Sequence, residues 1–162
     1  MIRSILYATD LGLYAPYVLQ HAMSLARAYD AEIHVVHAVE PMGLFADSVL
    51  QTYLDADTLA ELRSSGLSTV MGNIERRVME GFRDELGELH EESDMIRSVR
   101  VLQGDPPQVI LDEAQRLAVD LIVAGSHSHG EGMNTPLGRT AARVVQLAEV
   151  PVYLVPMLQH RS

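Results

Sequence analysis

Apolar positions along the chain fall into short unbroken runs that alternate with stretches of helical spacing. The first run, "IRSILYA" from Ile2 to Ala8, ends in Thr9-Asp10-Leu11-Gly12. After Pro16 the period changes, and Val18, Ala22, Leu25, Ala26 and Tyr29 share one helical face, with the proline tolerated in the first turn. "EIHVVHAV" (Glu32 to Val39) predicts a second, buried strand. A long helix is expected from about Asp57 to about Glu92, loosened near Ser64-Ser65-Gly66, because Ile74, Val78, Phe82, Leu86 and Leu89 recur at helical spacing. "SVRVLQGDPP" predicts a third strand and its exit, with Asp105 placed to cap a helix that opens on Pro106 and Pro107 and turns Val109, Ile110, Ala114 and Leu117 inward. "DLIVAGS" predicts a fourth strand, "RTAARVVQLA" a last helix with Ala141, Val144, Val145 and Ala148 inward, and "VPVYLVP" a fifth strand. The order is βαβαβαβαβ. Short apolar strands separated by amphipathic helices predict an α/β fold, a doubly wound parallel sheet with helices on both faces. One domain over residues 1–157 and a short tail over 158–162 are expected.

In such a sheet, ligands bind outside the carboxyl ends of the strands, where the strand order reverses. The loops after strands one, two and four read "ATDLG", "HAVEP" and "GSHSHGEG". Asp10 could bond a ribose hydroxyl or help hold a divalent cation; alternatively it starts the turn of an Asp-x-Gly sequence. Gly125 lets a base or phosphate lie against the backbone, or is a plain strand exit. His127 and His129, two apart, could face one metal ion, but no third ligand stands at recognisable spacing and no metal is expected. Thr135-Pro136-Leu137-Gly138-Arg139-Thr140 opens the last helix, whose free N–H groups and dipole prepare an anion site. Arg139 adds a guanidinium for phosphate, or lies on the surface over its neighbours.

Charge and composition narrow the partners. Twelve basic residues against twenty-two acidic ones give a net charge of -10, which argues against generic nucleic-acid or membrane-surface binding. The chain has no cysteine, so thiol catalysis, disulfides and thiolate metal sites are excluded. It shows neither a signal peptide nor a transmembrane run, and a cytoplasmic protein is expected. Neither GxGxxG after the first strand, nor GxxxxGK[ST], nor GxSxG occurs, and no catalytic residue is nominated.

"SILYATDLGLYAPYVLQHAMSLARAYDAEIHVVHAVEP", "VLQGDPPQVILDEAQRLAVDLIVAGSHSHG" and "LGRTAARVVQLAEVPVYLVP" together resemble the universal stress protein family along nearly the whole chain. Four landmarks occur in order: Asp after strand one, His-Ala-Val-Glu-Pro leaving strand two, Gly-Asp-Pro before the third helix, and Asp-Leu-Ile-Val-x-Gly-Ser-His. The resemblance implies a five-stranded parallel sheet in the order 3-2-1-4-5, a homodimer, and an adenine nucleotide (ATP, ADP or AMP), with or without magnesium, at the switch point. The family's nucleotide loop carries Gly, two residues, Gly, nine residues, Gly, then Ser or Thr. Laid on this chain, those positions are Gly125, Ser128, Gly138 and Arg139. Ala8, Thr9 and Asp10 match the adenine and ribose side, and Ala38 matches the small residue whose backbone meets the base. Ser126, His127, Ser128, Gly138, Arg139 and Thr140 then lie toward the phosphates. The adenosine half thus reads intact and the phosphate half altered. The family reading is a stress-response module that binds a nucleotide; the alternative is a dimeric interaction protein without nucleotide binding, whose protein partner the residues do not name. Slow ATP hydrolysis is compatible with such a family, but an enzyme is not expected. The fifth strand, Val152, Tyr153, Leu154 and Val155 between Pro151 and Pro156, is expected at the sheet edge and at the dimer interface. Met42, Leu44, Phe45, Val49, Leu50 and Tyr53 are expected to cover the ligand site, the dimer partner or the core.

Overall fold

The computed structural model describes residues 1–11, 14–40, 55–57, 72–73, 75–81, 94–127 and 137–156. Five apolar runs form strands: β1 (Ser4–Ala8), β2 (Glu32–Val39), β3 (Ile96–Gln103), β4 (Leu121–Gly125) and β5 (Val152–Val155). Between them lie the helices α1 (Ala15–Tyr29), α2 (Pro106–Arg116) and α3 (Arg139–Leu147). All pairings are parallel and the order is β3-β2-β1-β4-β5. Residues 72–73 and 75–81 are helical and fall within the long helix expected from the sequence, most of which lies outside the described residues, as do the apolar positions 42–53.

Both faces of the sheet are covered, and for that reason the strands read as continuous apolar runs rather than alternating ones. On one face Ile5, Tyr7, Ile33, Val35, Leu121 and Val123 pack against Val18, Leu19, Ala22, Met23 and Ala26 of α1. On the other, Leu6, Ala8, Val36, Ile122 and Ala124 meet Val109, Ile110 and Ala114 of α2 and Val144 of α3. Three helical faces differ from the sequence expectation. Tyr29, the last residue of α1, is half exposed, and Leu19 and Met23 are buried in its stead. Val145 also faces solvent, because α3 buries only Ala141 and Val144. Leu117 lies past the end of α2 and is only partly buried. At the start of the first strand the N–H groups of Arg3 and Ser4 both donate to the Asp120 carboxylate, at 2.9 and 3.1 Å, while the Arg3 carbonyl accepts from Glu32 N–H at 3.0 Å.

Chain direction fixes where a crevice opens. From β1 the chain winds to β2 and β3 on one side, and β4 and β5 lie on the other. The connections leaving β1 and β4 therefore part at the carboxyl end of the sheet.

Candidate functional site

Ala8 pairs with Val36 on one side and Ala124 on the other, so the exits of β1 and β4 lie at one level while β2 runs on to Val39 beside them. They enclose a cavity of about 270 Å³ together with the start of α3. That volume is near the lower end of small-molecule sites, which run roughly 300–1,000 Å³. Ala8, Thr9, Asp10, Ala38, Gly125, Ser126, His127, Gly138 and Thr140 all line it. Ser128 lies outside the described residues. Arg139 is not among the lining residues: its side chain is 80% exposed and its Nη2 donates to Asp105 Oδ1 at 3.4 Å.

Each strand exit is held by hydrogen bonds across the sheet. Thr9 N–H donates to the Val36 carbonyl at 3.0 Å, and Thr9 Oγ1 accepts from Leu11 N–H at 3.0 Å. The turn after β1 is thus closed by Thr9, and Leu11 takes a left-handed conformation at φ 58°. Asp10 is exposed, at the cavity's edge. Ser126 is buried and ties three elements together. Its N–H donates to the Val155 carbonyl at 2.9 Å, and its own carbonyl accepts from Gly138 N–H at 3.0 Å. Its hydroxyl is hydrogen-bonded to His127 Nδ1 at 2.8 Å. Gly138 N–H is therefore engaged by the protein, and the N–H groups of α3 left over by helix geometry are those of the residues that follow it.

Asp105 departs from its expected role. It sits in the capping position of α2 with extended backbone, and its carbonyl accepts from Val109 N–H at 2.9 Å, but its carboxylate makes no capping bond. The carboxylate faces Arg139.

Several lining residues escape a reading by spacing. His37 is the principal one: a carbonyl only accepts, so the 2.8 Å contact with Thr9 O fixes the proton on His37 Nδ1 as the donor. This bond joins the exits of β1 and β2. Glu40 adds a second carboxylate to the lining beside Asp10, while Val18, Val36, Ile110 and Val144 supply apolar walls. The sequence cue to both was the His-Ala-Val-Glu-Pro run leaving β2, whose first and fourth residues they are. Among the described residues no group of three His, Asp or Glu side chains could hold a metal ion, and no helix is long and apolar enough to cross a membrane.

The comparisons with known proteins agree with this architecture. The description "Universal stress protein family" matches residues 1–156. Universal stress protein A of Salmonella typhimurium is 27% identical over 157 residues, covering 96% of this chain and 94% of the relative. Among solved structures, the hypothetical protein MJ0577 superposes with a TM-score of 0.72 at 20% identity, covering 98% of this chain and 99% of its own. A universal stress protein in complex with cAMP superposes with a TM-score of 0.54 at 13% identity, covering 96% of this chain and 97% of its own. With its five-stranded parallel sheet, its crevice at the reversal of strand order and a family match over residues 1–156, the chain belongs to the universal stress protein family.

Proposed function

We propose that this chain is a stress-response binding module that holds an adenine nucleotide at the carboxyl ends of β1, β2 and β4. The observation that carries this reading is convergence: residues far apart in sequence, from Ala8 to Thr140, line one cavity with apolar walls and a few polar groups. In this reading Ala38 and Gly125 lie toward the base and Asp10 toward the ribose. Ser126, His127, Ser128, Gly138, Arg139 and Thr140 lie on the phosphate side. That a solved member of the same fold was crystallised with cAMP supports a nucleotide as the ligand class.

Magnesium fits only as a shared ion. The described residues offer Asp10 and Glu40 at the cavity but no three-ligand cluster, and Mg²⁺ characteristically takes one or two carboxylates together with substrate phosphates. Asp10 would hold it, and the ion would supply neutralisation of phosphate charge.

The test uses purified protein: absorbance near 260 nm and mass spectrometry of the denatured supernatant, followed by calorimetric titration with adenosine, AMP and ATP. Adenine ligand released from the protein, or micromolar binding of adenosine, is the expected result. A second reading, a dimeric interaction protein without nucleotide, is favoured by one observation, that Gly138 N–H and the Arg139 guanidinium are both taken by protein partners. Absence of binding by all three ligands selects it.

A further inference from the structure

The cavity is short of positive charge. Its described lining holds the carboxylates of Asp10 and Glu40 but neither lysine nor arginine. Among the described residues, Arg139 is a cation placed next to the site, between Gly138 and Thr140, which both line the cavity. Its guanidinium is held by Asp105, whose neighbour Pro106 also lines the cavity. The pair therefore spans the lip between the starts of α2 and α3.

We propose that Asp105 is a positioning residue that sets ligand specificity: by holding the Arg139 guanidinium it withholds that cation from ligand phosphate, so the site favours adenine ligands carrying few phosphate charges. This rests on the nucleotide reading above. Three observations support it. First, Asp105 occupies a capping position yet makes no capping bond, so its carboxylate is directed to Arg139 instead of its own helix. Second, the contact is weak, at 3.4 Å with side chains 80% and 52% exposed, so competition from Asp105 costs a phosphorylated ligand a modest factor and does not close the site. Third, a phosphate is the stronger acceptor, since charge-assisted contacts of guanidinium to phosphate are shorter and bidentate. A phosphorylated ligand must displace Asp105 from Arg139 to reach the guanidinium. Adenosine need not.

Asp105→Asn tests this without disturbing α2, because asparagine is as good a helix-capping residue as aspartate. AMP and ATP should bind the Asp105→Asn protein about threefold to tenfold more tightly than the wild type, ATP gaining more, while adenosine stays within about twofold. In an Arg139→Ala background the same substitution should leave AMP and ATP within about twofold, because the cation it releases is gone. Unchanged AMP and ATP affinity in Asp105→Asn, with adenosine still binding, overturns the proposal alone. So does an equal gain with and without Arg139, which would mark a general loss of negative charge. Failure of adenosine, AMP and ATP alike to bind any of the proteins defeats the nucleotide reading and this proposal with it.

Discussion

A Cβ added at Gly125 would meet nothing closer than Val18 Cγ2 at 3.6 Å and the His127 carbonyl at 3.7 Å, and the backbone there is not left-handed. The protein's own packing therefore does not require glycine, and the space a methyl group would enter belongs to the cavity. Gly125→Ala should leave thermal stability unchanged or raise it by up to about 1 kcal/mol through the unfolded chain, while adenosine binding weakens about tenfold or more by steric exclusion. A melt and a titration on the same sample check both, and loss of stability with intact binding would reverse the assignment. Glu113 is the opposite kind of residue, one the fold needs and the site does not. Its buried carboxylate accepts from Arg116 Nε at 2.7 Å and Nη2 at 3.0 Å and from Arg100 Nη1 at 2.8 Å, tying α2 to β3. The Arg116 hydrogen bonds, helped by the charge of Arg100, hold its pKa below the usual carboxylate range. A depressed folded-state pKa stabilises the protein above the unfolded value of about 4.3 and loses that contribution as pH falls through the folded value. Asp120, lowered by its backbone donors at Arg3 and Ser4, acts with the same sign. Glu113→Gln should cost about 1–3 kcal/mol at neutral pH, and its urea midpoint should fall less steeply than that of the wild type below about pH 4.3, the rest of the slope belonging to Asp120 and other carboxylates. Parallel curves would remove Glu113 as the source. At this scale the sequence spoke partly through position: Asp10 follows β1 and Gly125 ends β4, so a strand map placed them, while Ala38, one residue before the end of β2, came from the family resemblance. His37 stood in view as the first residue of the His-Ala-Val-Glu-Pro landmark, but its role did not, because its bond to Thr9, 28 positions away, has no local trace.

Elements were legible where apolar period and punctuation agreed. The second strand, Glu32 to Val39, has the bounds its β-branched run suggests, and α2 opens on Pro106 as the paired prolines require. Helix ends were harder to read, since α1 and α2 stop without glycine. After α2, Ala118 adopts φ 51°, its N–H donates to Gln115 O at 3.1 Å, and Val119 N–H donates to Ala114 O at 3.1 Å. This is a Schellman closure, with Val119 and Ala114 packed in the same cluster. Asp30 closes α1 similarly at φ 53°. Alanine in a left-handed conformation costs about 1–2 kcal/mol, so Ala118→Gly should stabilise the protein by about 1 kcal/mol, part of the gain being lost to the freer unfolded chain. A rise in urea midpoint at constant slope is the expected outcome, and a fall would mean the strain is relieved elsewhere. The same logic explains the misjudged helical faces. Spacing says which residues share a stripe, but the sheet edge under α3 decides how wide a stripe is covered, and there it covers Ala141 and Val144 alone.

For the whole molecule the question is how two copies, each carrying a charge of -10, could associate. We propose the fifth strand as the seam. Among the described residues it pairs only with β4, at the sheet edge, and its stretch from Val150 to Pro156 holds no charged residue. Carbonyls of Pro151 and Val155 bond into the β4 side, so by strand alternation Val152 and Leu154 turn their backbone groups to the open edge. Val155 is buried with its backbone turned to β4, so it adds nothing to the open edge, whereas Tyr153 is partly exposed and its hydroxyl already bonds His21 Nδ1 at 2.9 Å. An interface of this kind gains from apolar contact and backbone pairing and loses through long-range repulsion between like-charged bodies. Salt screens the second and not the first, since the Debye length falls from about 30 Å at 0.01 M to about 8 Å at 0.15 M. Sedimentation at micromolar concentration should therefore give about twice the 17.9 kDa chain mass, with dissociation weakening as salt is raised over that range. Leu154→Pro, which removes an outward N–H while sparing the β4 ladder, should shift the protein toward single chains. A dimer that loosens with added salt would point instead to ion pairs as its cement, and a single-chain mass at every salt concentration would leave β5 a bare edge.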